Sequence, residues 1–194
     1  MKTRKSPMTE TESWEIIQNM IANAKQDVKD DGYFLLLWGW LVLVASIGHY
    51  LLLTLTDFAH PYAVWSLMLV GIVATIWKVG KYRKQRVKTY VCTIMQSLWL
   101  AVFVGIIITL IGAGFEIGFR AAYPIILILY GIGIFISGSL FRFTPLIIGA
   151  VGTWSLALVA FFVPFQTQLL LLALATMISY IIPGFLLKSQ YTHE

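Results

Sequence analysis

The sequence has little charge. Only 12% of its 194 residues are Asp, Glu, Lys or Arg, which is about half the share found in an average soluble domain. That leaves too little polar surface for a water-soluble fold, and the mean hydropathy of +0.81 points the same way. We therefore expect a membrane protein of about one domain.

The sequence also lacks the residues of most catalytic and metal centres. Its single cysteine, Cys92, has no partner for a disulfide and belongs to no metal-binding pattern. A phosphate-binding Gly-Lys-Ser/Thr loop and a His-Glu-x-x-His zinc motif are both missing. Ser137 and Ser139 invite comparison with an intramembrane nucleophile, but we expect them at the opposite membrane face from His49. The sequence thus predicts no enzyme activity, no cofactor and no bound metal.

Long uncharged runs take the place of the missing charge. Between Asp31 and Asp57, for example, lie 25 uncharged residues, and about 20 apolar residues suffice to cross a bilayer as a helix. The longest run, 45 residues before Lys188, fits two helices with a turn at Pro164. We predict an all-α integral membrane protein with six transmembrane helices in a bundle over residues 33–188. The predicted spans are 33–56, 62–80, 90–113, 122–141, 144–163 and 168–187.

The basic residues set the predicted orientation. Six of the fourteen Lys and Arg residues lie between Lys78 and Lys88, and cytoplasmic loops retain positive charge. Six spans then place both termini in the cytoplasm and leave only Arg120 outside. The net charge of +5 is therefore explained by topology, and we expect no nucleic acid as a partner.

The cytoplasmic tail, residues 1–32, carries an amphipathic pattern. Thr9 and Glu12 have the spacing of a capping box, and Gly32 is a typical helix stop. We predict a helix over about 9–31, separate from the first span, with residues 189–194 as a short second tail. Its apolar interaction face repeats every three or four residues and consists of Trp14, Ile17, Ile21, Ala24 and Val28.

Three uses of that apolar face stay open. The helix could lie on the bilayer, pair with a copy of itself or dock on the basic loop, or bind a separate cytosolic protein. Surface-lying helices usually carry Lys and Arg on their polar face, whereas here six acids outweigh Lys25 and Lys29 between Glu10 and Asp31. Docking within the protein or in a homo-oligomer is the favoured interpretation.

Small and polar residues within the spans are the remaining candidates. Small residues every four positions allow helices to approach closely, which predicts packing stripes at Ser97, Ala101, Gly105 and Thr109 and at Gly149 and Thr153. Candidate intramembrane polar residues are His49, which we place near the outer interface as an anchor, and Gln96. Trp99 and Trp154 lie deep in their spans and should anchor packing, each N–H bonded to a neighbouring hydroxyl or carbonyl.

Several stretches resemble a group of small uncharacterised inner-membrane proteins of Bacteroidetes-type bacteria. They are residues 15–21 (EIIQNMI), 34–40 (FLLLWGW), 143–149 (FTPLIIG) and 180–188 (YIIPGFLLK). The resemblance implies a bacterial inner (cytoplasmic) membrane and no known activity. We therefore expect a non-enzymatic protein with a regulatory, scaffolding or assembly role. The alternative is a small transporter or channel subunit for a neutral or lipid-like solute.

Overall fold

The computed structural model describes the backbone of residues 10–82 and 90–190 and the side chains of residues 32–80, 93–115 and 118–189. Within these ranges every regular element is a helix. The predicted all-helical class is confirmed for this part of the chain. The Thr9 cap, the interior of the basic loop at 83–89, and the side chains of residues 10–31 and of Cys92 lie outside the described residues.

Seven α-helices follow one another in the described parts of the chain, residues 10–82 and 90–190. A 3-10 turn (Pro61–Ser66) leads into α2, a π-helical turn (Ala113–Ile117) ends α3, and another (Met177–Ile181), here called the π-segment, joins α6 to α7. The helices are α1 (Glu10–Leu55), α2 (Leu67–Tyr82), α3 (Tyr90–Gly112), α4 (Phe119–Phe141), α5 (Thr144–Ala160), α6 (Phe165–Thr176) and α7 (Ile182–Gln190).

The first helix corrects one prediction. α1 is continuous for 46 residues from Glu10 to Leu55, so Gly32 does not end a separate amino-terminal helix. Gly32 lies inside α1, where an added Cβ would come within 3.5 Å of the Leu187 side chain on α7. Gly32 is therefore a helical residue at an ordinary contact between α1 and α7 and not a stop signal.

Two buried clusters mark the two ends of the bundle. Leu35, Phe143 and Leu187 belong to one cluster, and they adjoin the turn at Arg142 and the end of α7 at Lys188. We call this the basic end. The other cluster contains Tyr123, Ala160 and Leu169, where α4 and α6 begin and α5 finishes; we call it the opposite end.

The helices differ in how deeply they are buried. α4 packs extensively on α5, and α1 packs on α6 and α7. α2 packs on α1 and α3 on α4, and only 6% and 11% of their most apolar windows are buried, against 56% for the rod formed by α6 and α7. α2 and α3 therefore lie at the periphery.

Among the residues that the structure describes, five helical stretches are long and apolar enough to cross a membrane. They are Gly32–Leu55, Pro61–Gly80, Thr93–Phe115, Phe119–Phe141 and Phe165–Ser189. The fifth predicted span, 144–163, is shorter than expected, because α5 has 17 residues and ends at Ala160. The last span begins at Phe165 rather than at residue 168.

The last rod changes its winding near its middle. The π-segment, Met177–Ile181, precedes α7, whose second residue is Pro183. Proline has no N–H for the carbonyl four residues earlier and its ring crowds that carbonyl, so a wider turn before it lets the helix continue. The chain continues through Pro183 as helix to Gln190.

Candidate functional site

Four aromatic rings from four elements form a closed ring of contacts at the opposite end of the bundle. His49 of α1 lies edge-on to Trp65, with centroids 6.4 Å apart, and to Phe165, 5.8 Å apart. Tyr123 of α4 completes the circuit, 6.3 Å from Trp65 and 5.3 Å from Phe165. We call these four residues the aromatic ring cluster. Such edge-on pairs add to the stability gained by burial alone, so the cluster ties four elements together.

A hydrogen bond fixes the tautomer of His49 in this cluster. The indole N–H of Trp65 donates to His49 Nδ1 over 3.0 Å. Because an indole nitrogen can only donate, Nδ1 must be the unprotonated nitrogen and Nε2 carries the hydrogen. A protonated imidazole would place two N–H groups against each other, so this contact favours neutral His49.

His49 was predicted to be an anchor near the outer interface. In the structure its imidazole is only 6% exposed and faces the interior of the bundle. Gln96, the other predicted polar residue, is exposed in the second turn of α3 near the basic end. The two residues therefore lie at opposite ends and do not form one polar track.

Gln168 is the most unusual polar residue that the structure describes. Its side chain is fully buried, and its amide nitrogen donates to the backbone carbonyls of Arg120 and Ala160, each over 2.8 Å. In a continuous helix these carbonyls would accept from the residues four positions later, which here are Pro124 and Pro164. Neither proline has an N–H. Gln168 thus supplies both missing donors and joins α4, α5 and α6.

Two polar atoms near this cluster keep spare hydrogen-bonding capacity. Gln168 Oε1 and Ser46 Oγ are both fully buried and have no hydrogen-bond partner among the described residues. Ser46 lies one helical turn before His49, and Gln168 lies one turn after Phe165 in α6. Both atoms lie on helices that also carry members of the aromatic ring cluster, Ser46 on α1 with His49 and Gln168 on α6 with Phe165.

Glycines of α4 hold the two deep tryptophans. An added Cβ at Gly131 would collide with the indole of Trp154, and one at Gly133 would come within 3.2 Å of the indole of Trp99. The Trp154 N–H donates to the carbonyl of Ile128 over 3.2 Å. For Trp154, the prediction that its N–H finds a facing carbonyl is confirmed.

The predicted packing stripe on α5 lies at a very close helix contact. A Cβ at Gly149 would come within 2.8 Å of Ser179 Cα and 3.1 Å of the Ile178 carbonyl oxygen. Thr153 is buried one turn later and donates to the Gly149 carbonyl over 2.9 Å. On the other side of the π-segment, a Cβ at Gly39 would come within 2.8 Å of Tyr180 Cβ. The π-segment is thus held between α1 and α5.

The predicted stripe on α3 divides in two. A Cβ at Gly105 would come within 3.2 Å of Leu129 on α4, and Thr109 donates to the Gly105 carbonyl over 2.8 Å. Ser97 and Ala101, however, are exposed. In the amino-terminal half of α3, Trp99 and Val102 face α4 instead of the small residues.

The predicted interaction face lies on the first part of α1. Trp14, Ile17, Ile21, Ala24 and Val28 all fall within the helical backbone of Glu10–Leu55, but their side chains are outside the described residues. Just after this part of α1, the Lys78 ammonium lies 3.5 Å from the ring centroid of Tyr33. This contact joins the end of α2 to α1 at the point where the basic loop starts.

Sequence reasoning missed the structural roles of Trp65, Tyr123 and Gln168. It made residue 168 the first residue of the last span, and nothing local connects Gln168 to Pro124, 44 positions away. The usable signal was the pair of prolines near helix ends, each of which leaves a carbonyl needing a donor.

Comparisons with known proteins add no assignment. Neither a protein-family model, nor a curated protein, nor a solved structure matches this chain. Among the described residues there is also no group of three or more His, Cys, Asp or Glu residues placed to hold a metal ion.

Proposed function

We propose that this chain is a multi-pass protein of a bacterial inner membrane that acts without catalysis, in regulation, scaffolding or assembly. Its contact element is the amphipathic stretch 9–31, and its partner is a second copy or a cytosolic protein. In this proposal all six predicted spans cross the membrane, α5 being the shortest, and both termini are cytoplasmic. The five long apolar helices support the membrane placement.

The continuity of α1 carries the proposal. At 1.5 Å per residue, residues 10–31 extend α1 by about 33 Å beyond Gly32. Sharp helix kinks arise mainly at proline, Gly/Ser pairs or π-bulges, and residues 10–55 contain no proline. A straight continuation of a spanning helix leaves the membrane surface instead of lying on it. This disfavours the bilayer-surface use of the apolar face and favours contact with another protein chain.

Charge supports a contact between copies. Six acids lie between Glu10 and Asp31, and six basic residues lie between Lys78 and Lys88. Opposite charges on neighbouring copies would align the helices and speed their association. The apolar face would then supply the buried area of the contact.

The test changes the two faces of the same helix separately. The double substitution Ile17→Asp and Ile21→Asp places charge on the apolar face, while the control Asn19→Asp and Asn23→Asp adds the same charge to the polar face. We expect both proteins to insert normally, and only the first to lose its oligomer or its cosedimenting partner in mild detergent.

Two results would count against this proposal. One is an apolar-face variant that keeps the same mass and the same partners as the control. The other is a chain truncated to residues 32–194 that keeps every interaction of the full-length protein.

A second candidate, a transporter or channel subunit for a neutral or lipid-like solute, draws on the π-segment. π-helical turns occur often at functional sites, and transporters build their sites from interrupted helices near the membrane midplane. Here Ser179 and Tyr180 of the π-segment are buried, beside Tyr130. Glycerol flux into proteoliposomes tests this candidate. It should fall in Ser179→Ala and persist in the exposed control Ser155→Ala, and flux equal to that of protein-free vesicles would exclude glycerol as the solute.

A further inference from the structure

An apolar groove runs along the outer face of α1 beside α2. It has a volume of about 320 Å³ and is lined by α1 residues from Tyr33 to Val44 and by Leu67 at the start of α2. Its α1 residues recur every three or four positions, at Leu36, Leu37, Trp40 and Leu41 between those ends. Side chains at this spacing share one face of a helix, so the groove is an open surface groove that runs parallel to α1.

The length of the groove matches one leaflet of a bilayer. From Tyr33 to Val44 is 11 residues, or about 16 Å at 1.5 Å per residue. Half of a hydrocarbon core of roughly 30 Å is about 15 Å. The groove also starts close to Gly32, where the first apolar stretch of the chain begins. A lipid chain from the cytoplasmic leaflet would therefore fit along its whole length.

A positive charge lies at the basic end of the groove. The Lys78 ammonium is 3.5 Å from the ring centroid of Tyr33 and 5.0 Å from that of Phe34. Lys78 also opens the basic loop, which holds six Lys and Arg residues up to Lys88. Basic clusters next to the cytoplasmic end of a span attract anionic headgroups.

We propose that this groove binds one anionic phospholipid of the cytoplasmic leaflet. One acyl chain lies along α1 between Tyr33 and Val44, and the headgroup phosphate is held near Lys78. Next to the groove α2 packs closely on α1, since a Cβ added at Gly71 would come within 2.6 Å of Leu41 Cδ1. The groove thus lies at a close contact between two helices and has a charged end.

This proposal rests on the proposed membrane placement, so that placement is tested first in the same preparation. Membranes holding the full-length protein are washed with alkaline carbonate. Release of the protein into the wash would overturn both the membrane placement and the lipid site. Retained protein is then extracted in mild detergent, freed of native lipid, and mixed with phosphatidylglycerol or phosphatidylcholine.

Native mass spectrometry measures the lipid retained by each chain. We expect one phosphatidylglycerol per chain and a clear preference over phosphatidylcholine. Lys78→Gln should weaken phosphatidylglycerol binding about fivefold, the equivalent of the ~1 kcal/mol that one basic residue near the surface contributes. The matched control is Arg142→Gln, which removes a charge from the α4–α5 turn at the same end and should leave binding unchanged.

A second pair of variants tests the acyl-chain contact. Leu37→Trp fills the groove, and Ile108→Trp places the same ring on the exposed face of α3, where Ile108 is 64% exposed. Only Leu37→Trp should displace the lipid. Equal retention of the two lipids by the wild type, unchanged retention in Leu37→Trp, or a dimer that excludes lipid from the wild-type groove would each overturn the site.

Discussion

The substitution Gln168→Leu should lower the free energy of unfolding by more than its modest change in side-chain size suggests. The amide of Gln168 is the donor to two carbonyls, those of Arg120 and Ala160. Pro124 and Pro164 occupy the positions that would normally donate to them. A leucine fills a similar volume but leaves the buried Ala160 carbonyl and the part-buried Arg120 carbonyl without this hydrogen bond.

The size of the effect follows from counting these groups. A buried acceptor left without a donor costs about 1–3 kcal/mol, and the substitution creates one such acceptor at Ala160 and a part-buried one at Arg120. It also removes Oε1, which is buried and has no hydrogen-bond partner among the described residues, and this returns an amount comparable to the cost at Ala160. The net loss in the free energy of unfolding should therefore be that of the part-buried hydrogen bond, about 0.5–1.5 kcal/mol.

A double-mutant cycle isolates the proline part of this argument. Pro124→Ala restores an N–H four residues after Arg120, so Arg120 no longer depends on Gln168. In that background Gln168→Leu should cost about 0.5–1.5 kcal/mol less than in the wild type. Equilibrium unfolding of the purified protein in mixed micelles, followed by circular dichroism, gives the four free energies. The reasoning is refuted if Gln168→Leu costs the same in both backgrounds.

The remaining predictions concern other contacts within the bundle. Gly149→Ala and Gly152→Ala gain the same helix propensity, but only the first forces a Cβ to within 2.8 Å of Ser179 Cα, while at Gly152 the nearest atom is 3.6 Å away. The free energy of unfolding of Gly149→Ala should be about 1–3 kcal/mol lower than that of Gly152→Ala, which is the usual cost of overpacking. Equal free energies of unfolding would contradict the close contact. Trp65→Phe keeps a ring in the aromatic ring cluster but loses the donor to His49, so it should cost about 0.5–1.5 kcal/mol in the same assay. A neutral effect would show that this hydrogen bond adds nothing to stability.

Much of the fold could be predicted because apolar runs report helices directly. The uncharged runs gave helices close to those observed, since a long apolar run without alternation buries its backbone groups most simply as a helix. The depth of Trp154 in its run likewise predicted a donor bonded to a hydroxyl or a carbonyl, and in the structure the acceptor is the carbonyl of Ile128. These features depend on local sequence alone.

The candidate site could not be predicted in the same way because its contacts are not local. The local sequence does not show that Gln168 bonds to α4 and α5. It also does not show that Trp65 and Phe165 pack around His49, which was predicted to be an interfacial anchor. Gly32 shows the same limit at a helix boundary. A glycine there can end a helix or let another helix pack closely, and only the position of α7 decides between them.

The proposed contact with another protein chain requires α1 to be one straight helix that carries its amino-terminal apolar face away from the membrane. Pulsed electron spin resonance can measure this in lipid nanodiscs, with spin labels at Glu12→Cys and Ile47→Cys in a Cys92→Ser background. A continuous helix over these 35 residues predicts a narrow distance distribution near roughly 52 Å. A helix that ends at Gly32 and turns flat along the bilayer predicts roughly 38 Å from the same rise per residue, and that result would contradict the proposal.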